Sequence, residues 1–180
     1  MVVTVREARQ DEYEAIGEVT VAAYSIFPEV ADQGYVAELR DVGGRAAVCP
    51  IYVAVDDAGH VIGGATYVPG PDNPLAESER AGEAGIRMLA VAPAAQGRGV
   101  GTALARALVD RARRDGRRGI ALLSLPAMTG AHRLYERLGF RRAADRDWEP
   151  LPGLVLFGFE LDLEDAGLSQ AAPRSGSGAG

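Results

Sequence analysis

Apolar and polar residues alternate along this chain with two periods, one typical of strands and one typical of helices. Runs rich in apolar and β-branched residues predict seven strands, at 2–6, 51–55, 61–68, 84–92, 119–124, 140–143 and 154–161. Apolar residues three or four positions apart predict four helices, at 11–24, 32–40, 99–114 and 129–138. The order is strand, two helices, three strands, helix, strand, helix and two strands. This order predicts a single α/β domain with a mixed sheet and helices on its faces.

Glycine-rich and proline-rich segments set the predicted boundaries. Gly43 and Gly44 are predicted to end the second helix, and the segment 56–59, Asp-Asp-Ala-Gly, is typical of a hairpin turn. Residues 145–153 are predicted only to join the last two strands. The folded domain is predicted to span 1–163. Residues 164–180, rich in Gly, Ala and Ser, are predicted to form a disordered tail.

The long third helix is predicted to pack through one apolar face. The residues of that face are Val100, Ala103, Leu104, Ala107 and Leu108.

The segment from Met88 to Thr102 carries the strongest chemical signal. An apolar strand runs into a proline, then into a glycine-rich turn, then into the first turn of the long helix. Free backbone N–H groups and the positive end of a helix dipole meet there, which favours binding of a phosphate. No acidic residue occurs between Ala84 and Val109, although the chain carries 25 Asp and Glu. The segment therefore predicts an anion site, and the alternative is a plain strand-to-helix turn.

Two other phosphate-binding loops do not fit this spacing. A Walker loop needs a lysine where Gly101 precedes Thr102, and a dinucleotide loop starting at Gly97 needs glycine at the position of Thr102. A nucleotide-binding module is therefore disfavoured. The remaining pattern, Gln96-x-x-Gly99-x-Gly101 after an apolar strand, resembles the acetyl-CoA signature of the GNAT superfamily of N-acetyltransferases.

A second segment strengthens the resemblance. Residues 131–140, Ala-His-Arg-Leu-Tyr-Glu-Arg-Leu-Gly-Phe, are similar to the A-x-x-L-Y-E-x-x-G-F segment that ends the GNAT cofactor domain. The order of elements over about 2–162 is also that of the family. The resemblance implies a mixed, mostly antiparallel central sheet flanked by about four helices. It implies acetyl-CoA as co-substrate, and a homodimer is allowed because relatives are often dimers.

The resemblance also implies roles for particular residues. Backbone groups of Leu89, Ala90 and Val91 would pair with the pantetheine arm, and Tyr135 would protonate the leaving thiolate. The loop that would hold the pyrophosphate consists of Gln96, Gly97, Arg98, Gly99, Val100, Gly101 and Thr102. A tyrosine packed on the sheet is the alternative interpretation of Tyr135.

Two positions depart from the family pattern. Met128 stands where many members have an asparagine that contacts pantetheine, and Gly85 stands where many have a glutamate that acts as base through water. Glu83 lies two residues earlier and would share a strand face with Gly85, so it is the predicted base. A solvated loop carboxylate is the alternative for Glu83. His132 is another candidate base, although a surface histidine is the better interpretation.

Charge and composition narrow the partners. The net charge of −6 argues against nucleic acid or an anionic membrane as a partner. One cysteine and two histidines predict no metal site, and no apolar run is long enough for a membrane span. A cytoplasmic location is the default expectation. All 19 basic residues are arginine, so the chain has no lysine that it could acetylate on itself.

The predicted activity is transfer of acetyl from acetyl-CoA to a primary amine of a small molecule or peptide, directly and in a ternary complex. A non-catalytic acyl-CoA-binding regulatory domain is the alternative, because of the departures at 85 and 128. Aromatic and acidic residues from two variable regions are the candidate acceptor contacts: Tyr24, Phe27, Glu29, Tyr35, Asp145, Asp147, Trp148 and Glu149. Ordinary surface roles are equally open for each of them.

Overall fold

The computed structural model describes residues 2–30 and 32–164. Its eight strands form one sheet in the order β1-β2-β3-β4-β5-β8-β6, with β7 paired to β8. The strands are β1 (Thr4–Glu7), β2 (Ile51–Val55), β3 (Val61–Val68), β4 (Glu83–Val91), β5 (Gly119–Ser124), β6 (Arg141–Arg142), β7 (Trp148–Leu151) and β8 (Leu154–Asp162). Only β4 and β5 run parallel, and every other recorded pair is antiparallel. The predicted mixed, mostly antiparallel α/β sheet is therefore confirmed.

Five α-helices cover the sheet in the described ranges. They are α1 (Tyr13–Tyr24), α2 (Gln33–Arg40), α3 (Val42–Ala46), α4 (Val100–Arg114) and α5 (Thr129–Arg137). Within residues 2–30 and 32–164, none of the helices combines the length and the apolar character that crossing a bilayer requires. The predicted tail lies, apart from Glu164, outside the described residues.

The two faces of the sheet have separate cores. On one face, α4 packs Leu104 and Leu108 against Tyr67 and Ile120. On the other face, Ile16 of α1 packs with residues of β2 and with Val42. Leu104 and Leu108 were predicted for the buried face of α4, whereas the predicted Ala103 and Ala107 are only half-buried. Ala105, Val109 and Ala112 are buried as well, because α4 lies across β1 to β5 of the sheet and so buries more than one stripe.

Two local predictions were wrong. Gly43 and Gly44 do not end a helix but lie inside α3, whose N-terminus is capped by the Asp41 carboxylate accepting from Gly44 N at 2.8 Å. Residues 145–153 contain β7, which pairs with β8 through Trp148 opposite Leu156 and Leu151 opposite Leu154. Pro150 interrupts the apolar alternation of β7, and proline is tolerated because β7 is an edge strand.

A close contact between α1 and α2 makes one glycine testable. A Cβ at Gly17 would lie 2.7 Å from Arg40 O, so Gly17→Ala must push the two helices apart. We expect a loss of about 1–3 kcal/mol in the free energy of unfolding, measured by urea denaturation. Gly130→Ala is the matched helical control, since nothing lies within 4 Å of its added Cβ. It should raise stability by about 0.4–1 kcal/mol, and equal effects of the two changes would contradict the packing argument.

Candidate functional site

The centre of the sheet contains a split between two parallel strands. β4 and β5 are paired only where Glu83–Ile86 lie beside Gly119–Leu122. Beyond Ile86, β4 continues to Val91 with β3 as its recorded partner, while β5 continues to Ser124 beside β8. The edge of β4 from Arg87 to Val91 therefore faces a gap instead of a strand. An extended ligand with amide groups can bind such an edge as an added strand.

A β-bulge lies in β4 at the opening of this gap. Gly64 pairs with Ala90 and Thr66 pairs with Arg87, so two residues of β4, Met88 and Leu89, face one residue of β3. Met88 has a φ of 50°, which only a minority of residues other than glycine adopt. Bulges bend a strand and re-aim its backbone groups, and they recur next to functional sites. The strain at Met88 is concentrated where the gap opens.

The loop after β4 forms an open cradle. Gly97 and Gly99 have φ values of 74° and 82°, and a Cβ at either position would meet no atom within 4 Å. The N-cap residue of α4 is Gly99, which has no side chain to cap the helix. The backbone N–H groups of Val100, Gly101 and Thr102 donate to no other backbone group within the described residues. These N–H donors, the uncovered loop surface and the positive end of a 15-residue helix together suit the binding of an anion.

The end of β4, the cradle and α5 are held together by close packing. A Cβ at Gly101 would lie 2.9 Å from Leu134 Cδ1 and 3.5 Å from Val91 Cγ2. Gln96 Nε2 donates to Val91 O at 3.3 Å, which ties the loop back to the strand. The structure thus gathers at one end of β4 every residue predicted from the acetyl-CoA signature: Leu89, Ala90, Val91, Gln96, Gly97, Arg98, Gly99, Val100, Gly101 and Thr102.

Tyr135 lies in α5 and is buried among aromatic rings. Its ring centroid is 5.7 Å from that of Phe140 and 5.7 Å from that of Phe159. Burial raises the pKa of Tyr135 to about 12. The phenol therefore keeps its proton at neutral pH, as a proton donor must.

Glu83, the base predicted from sequence, lies at the closed end of the split. Its two carboxylate oxygens accept from Arg146 at 2.6 and 2.9 Å, and its Oε2 also accepts from Arg80 N at 2.7 Å. Arg146 is 3% exposed and binds Glu160 as well. This geometry gives Glu83 a structural ion pair and supplies no support for its predicted role as a base.

A different carboxylate lies beside Gly85. A Cβ at Gly85 would collide with Glu79 Oε1, so any other residue at position 85 would displace the Glu79 side chain. Glu79 Oε2 accepts from the backbone N–H of Glu77 at 2.7 Å and of Ser78 at 3.0 Å. Gly85 therefore leaves room for an acidic loop, 69–82, to fold over β4.

An open cavity of about 260 Å³ borders the split on the side of α1 and α2. Ile86 and Met88 of β4, Leu123 and Ser124 of β5, and Leu125 directly after β5 line it. Four of the predicted acceptor residues line it, Tyr24, Glu29, Tyr35 and Trp148.

The other predicted acceptor residues do not line this cavity. Asp145 is paired with Arg80, and Asp147 with Arg142. Glu149 accepts from Gly153 N. Phe27 also lies outside the lining.

The cavity contains an ion pair that the sequence analysis missed. Glu77 Oε1 lies 2.7 Å from Arg87 Nη2, and both side chains line the cavity. Burial raises the pKa of Glu77, and Arg87 opposes the shift.

His132 lies next to Leu125 of the cavity lining. Its Nε2 is 3.1 Å from Leu125 O, and its ring centroid is 4.9 Å from that of Phe159. Burial lowers the pKa of His132, which is packed rather than free on the surface.

The sequence and the fold of this chain are similar to those of known acetyltransferases. The family model described as acetyltransferase (GNAT) family matches residues 6–140. A search of curated proteins gives no significant match. A GCN5-related N-acetyltransferase from Kribbella flavida superposes with a TM-score of 0.62 at 29% identity, covering 89% of this chain and 98% of that one.

Two further solved structures were determined with acetyl-CoA. A GNAT family acetyltransferase from Brucella melitensis has a TM-score of 0.58 and 27% identity, over 78% of this chain and 83% of its own. The putative acetyltransferase yncA from Salmonella typhimurium has the same fold, with a TM-score of 0.67 at 23% identity, over 97% of this chain and 99% of its own. The family match spans most of the described domain and includes the split, the cradle and α5, and the chain therefore belongs to the GNAT family of acetyltransferases.

Proposed function

We propose that this protein is an acetyl-CoA-dependent N-acetyltransferase that transfers acetyl directly to a primary amine of a small molecule or peptide in a ternary complex. The observation that carries the proposal is the split between β4 and β5, which runs from the open glycine cradle to the cavity under α1 and α2. One extended thioester ligand and one amine can meet there without a covalent enzyme intermediate. The acetyl-CoA complexes of the Brucella and Salmonella relatives support the same co-substrate.

The residues of the cradle fit a pyrophosphate. Gly97 and Gly99 leave the space of a side chain empty, so an anion can approach the backbone closely. The first-turn N–H groups of α4 would bind its oxygens, and the exposed Arg98 adds positive charge beside them. We assign Gln96 through Thr102 to the phosphates, and the free edge of β4 at Leu89, Ala90 and Val91 to the pantetheine amides.

The chemistry needs a neutral amine and a polarised thioester. A free alkylamine has a pKa of about 10, so the acceptor must lose a proton before its lone pair attacks the carbonyl carbon. A backbone N–H near the β4 bulge would stabilise the oxyanion as the carbon becomes tetrahedral. The carbon–sulfur bond then breaks, the thiolate leaves, and the new amide nitrogen gives up its second proton.

Tyr135 is the proposed donor to the leaving thiolate. Its buried phenol holds its proton at neutral pH, and the thiolate, with a thiol pKa of about 8.5, gains from protonation. The resulting tyrosinate recovers a proton from the amide nitrogen through solvent. The proposal therefore uses a group that is protonated before the reaction and again after it.

Removing the Tyr135 hydroxyl should slow the reaction without unfolding the protein. We expect Tyr135→Phe to lower kcat by about tenfold, less than a typical general acid, because a thiolate also leaves unprotonated. The ring contacts with Phe140 and Phe159 remain, so Tm and the Kd for acetyl-CoA should stay unchanged. The measurement is thiol release with a panel of primary amines, confirmed by mass spectrometry of the acetylated product.

Tyr13→Phe is the matched control, because Tyr13 packs in the opposite core near Ile16. Unchanged kcat in Tyr135→Phe would remove Tyr135 from this role. Tight acetyl-CoA binding with no turnover on any amine would instead favour a regulatory acyl-CoA-binding domain. Because the chain has no lysine, acetylation of its own lysine side chains cannot contribute to the thiol release that is measured.

A further inference from the structure

The acceptor ammonium must give up a proton, so the cavity needs a base to take it. The position on β4 where many family members have a glutamate carries no carboxylate in this chain. Gly85 has no side chain, and Glu83 is held by Arg146. The acidic loop over β4 brings two other carboxylates close to the split, those of Glu77 and Glu79. The two carboxylates differ in their hydrogen-bond and ion-pair partners.

Glu79 is engaged in holding the loop. Its Oε2 accepts from two backbone N–H groups of the loop itself, and its Oε1 lies against Gly85. It is not among the residues that line the cavity. The bond from Glu77 N to Glu79 fixes the backbone at position 77, so Glu79 positions the loop rather than meeting a ligand.

Glu77 lines the cavity and is held by one neighbour from the strand. Its side chain is 20% exposed, and Arg87 Nη2 lies 2.7 Å from its Oε1. Arg87 Nη1 also donates to Leu75 O at 3.3 Å, so the same guanidinium joins the loop to β4. An ion pair at one oxygen orients the carboxylate.

The other carboxylates of the cavity are less suited to taking a proton. Asp32 caps α2 by accepting from Gly34 N and Tyr35 N. Glu29 is exposed, and the side chain of Glu38 is 49% exposed with its Oε1 3.5 Å from Arg87. Glu77 is the most buried carboxylate among the residues that line the cavity.

We propose that Glu77 is the base that takes the proton from the acceptor ammonium, with Arg87 as its positioning residue. This assignment rests on the proposed acetyl transfer to an amine. The ammonium N–H proton passes to the Glu77 carboxylate, giving a neutral amine and a carboxylic acid. The amine lone pair then attacks the thioester carbon, and Glu77 returns its proton to solvent after the product leaves.

The electrostatic surroundings of Glu77 suit this exchange. Burial raises its pKa, Arg87 lowers it, and Glu79 and Glu38 raise it further. A carboxylate of raised pKa takes a proton from an ammonium more readily than a surface carboxylate does. The titratable and charged groups that face it from its own loop, β4, α1 and α2 are Glu79, Arg87, Tyr24, Tyr35 and Glu38.

The test compares Glu77→Gln with the wild type across pH, using an amine that the wild type acetylates. We expect kcat/KM at pH 7 to fall by about 10²-fold, with the Kd for acetyl-CoA within twofold of the wild type by calorimetry. The deficit should shrink towards pH 9.5, because the free amine then loses its proton in solution. Glu18→Gln is the matched control, since Glu18 also pairs with an arginine at 2.7 Å but lies outside the cavity.

A second variant separates lost chemistry from lost structure. Glu77→Ala should regain part of its rate when formate is added, with saturation, while formate leaves the wild type and Glu18→Gln unchanged. The assignment is overturned if Glu77→Gln stays within threefold of the wild type at every pH, or if a slow Glu77→Ala shows no rescue. A wild-type protein that binds acetyl-CoA and acetylates no amine overturns the proposed function and this assignment together.

Discussion

Gly99→Asp should weaken binding of coenzyme A by about 10²- to 10³-fold, roughly 3–4 kcal/mol. The change places a carboxylate on the open cradle, beside the N–H groups that we assign to the pyrophosphate. Gly99 has a φ of 82°, a conformation that Asp adopts at less cost than most residues. The loss therefore reports charge repulsion and blocked N–H groups more than backbone strain. Isothermal titration calorimetry with coenzyme A measures it without any acceptor.

Two controls separate charge from backbone at this position. Gly99→Asn has the same shape without the charge and should lose about tenfold or less. Gly59→Asp, at a φ of 85° in the β2–β3 hairpin, carries the same charge and a similar backbone cost away from the cradle. It should leave the Kd unchanged. Equal affinity of Gly99→Asp and the wild type would mean that the loop does not hold the phosphates.

The cradle could be predicted from sequence because its chemistry is local. Strand, proline, glycine turn and helix start follow one another along the chain, and two glycines of that turn, Gly97 and Gly99, supply its positive φ values. Tyr135 could be located because its helix segment is a contiguous motif. The order of the strands and helices was predicted for the same reason, since periodicity is a property of short windows.

The proposed base, Glu77, could not be predicted because its surroundings depend on which distant residues meet in the fold. Glu83 shares a strand face with Gly85, as the alternation predicts. Its carboxylate is bound by Arg146, which lies 63 residues later in the chain. Glu77 lies in a loop without periodicity, and only the folded chain brings it to Arg87. β7 was missed for a related reason, since Pro150 breaks the pattern while pairing with β8 maintains the strand.

Loss of Arg146 should be the most destabilising of the changes proposed for this protein. We expect Arg146→Met to lower the free energy of unfolding by about 3–5 kcal/mol. The side chain is 3% exposed and binds Ser78 O at 2.7 Å, both oxygens of Glu83 and one of Glu160. Without it, two partly buried carboxylates lie close together with no cation between them. Urea denaturation followed by circular dichroism gives the loss, and Tm should fall by about 6–20 °C.

Arg80→Met is the matched control, because its pair with Asp145 is as short, at 2.7 Å, but more than half exposed. It should cost less than about 1 kcal/mol. The double variant Glu83→Met with Arg146→Met should be more stable than Arg146→Met alone, since it removes one of the two carboxylates that the loss of Arg146 leaves uncompensated. If the losses of unfolding free energy in Glu83→Met and Arg146→Met simply add in the double variant, the ion pair does not stabilise the closed end of the split.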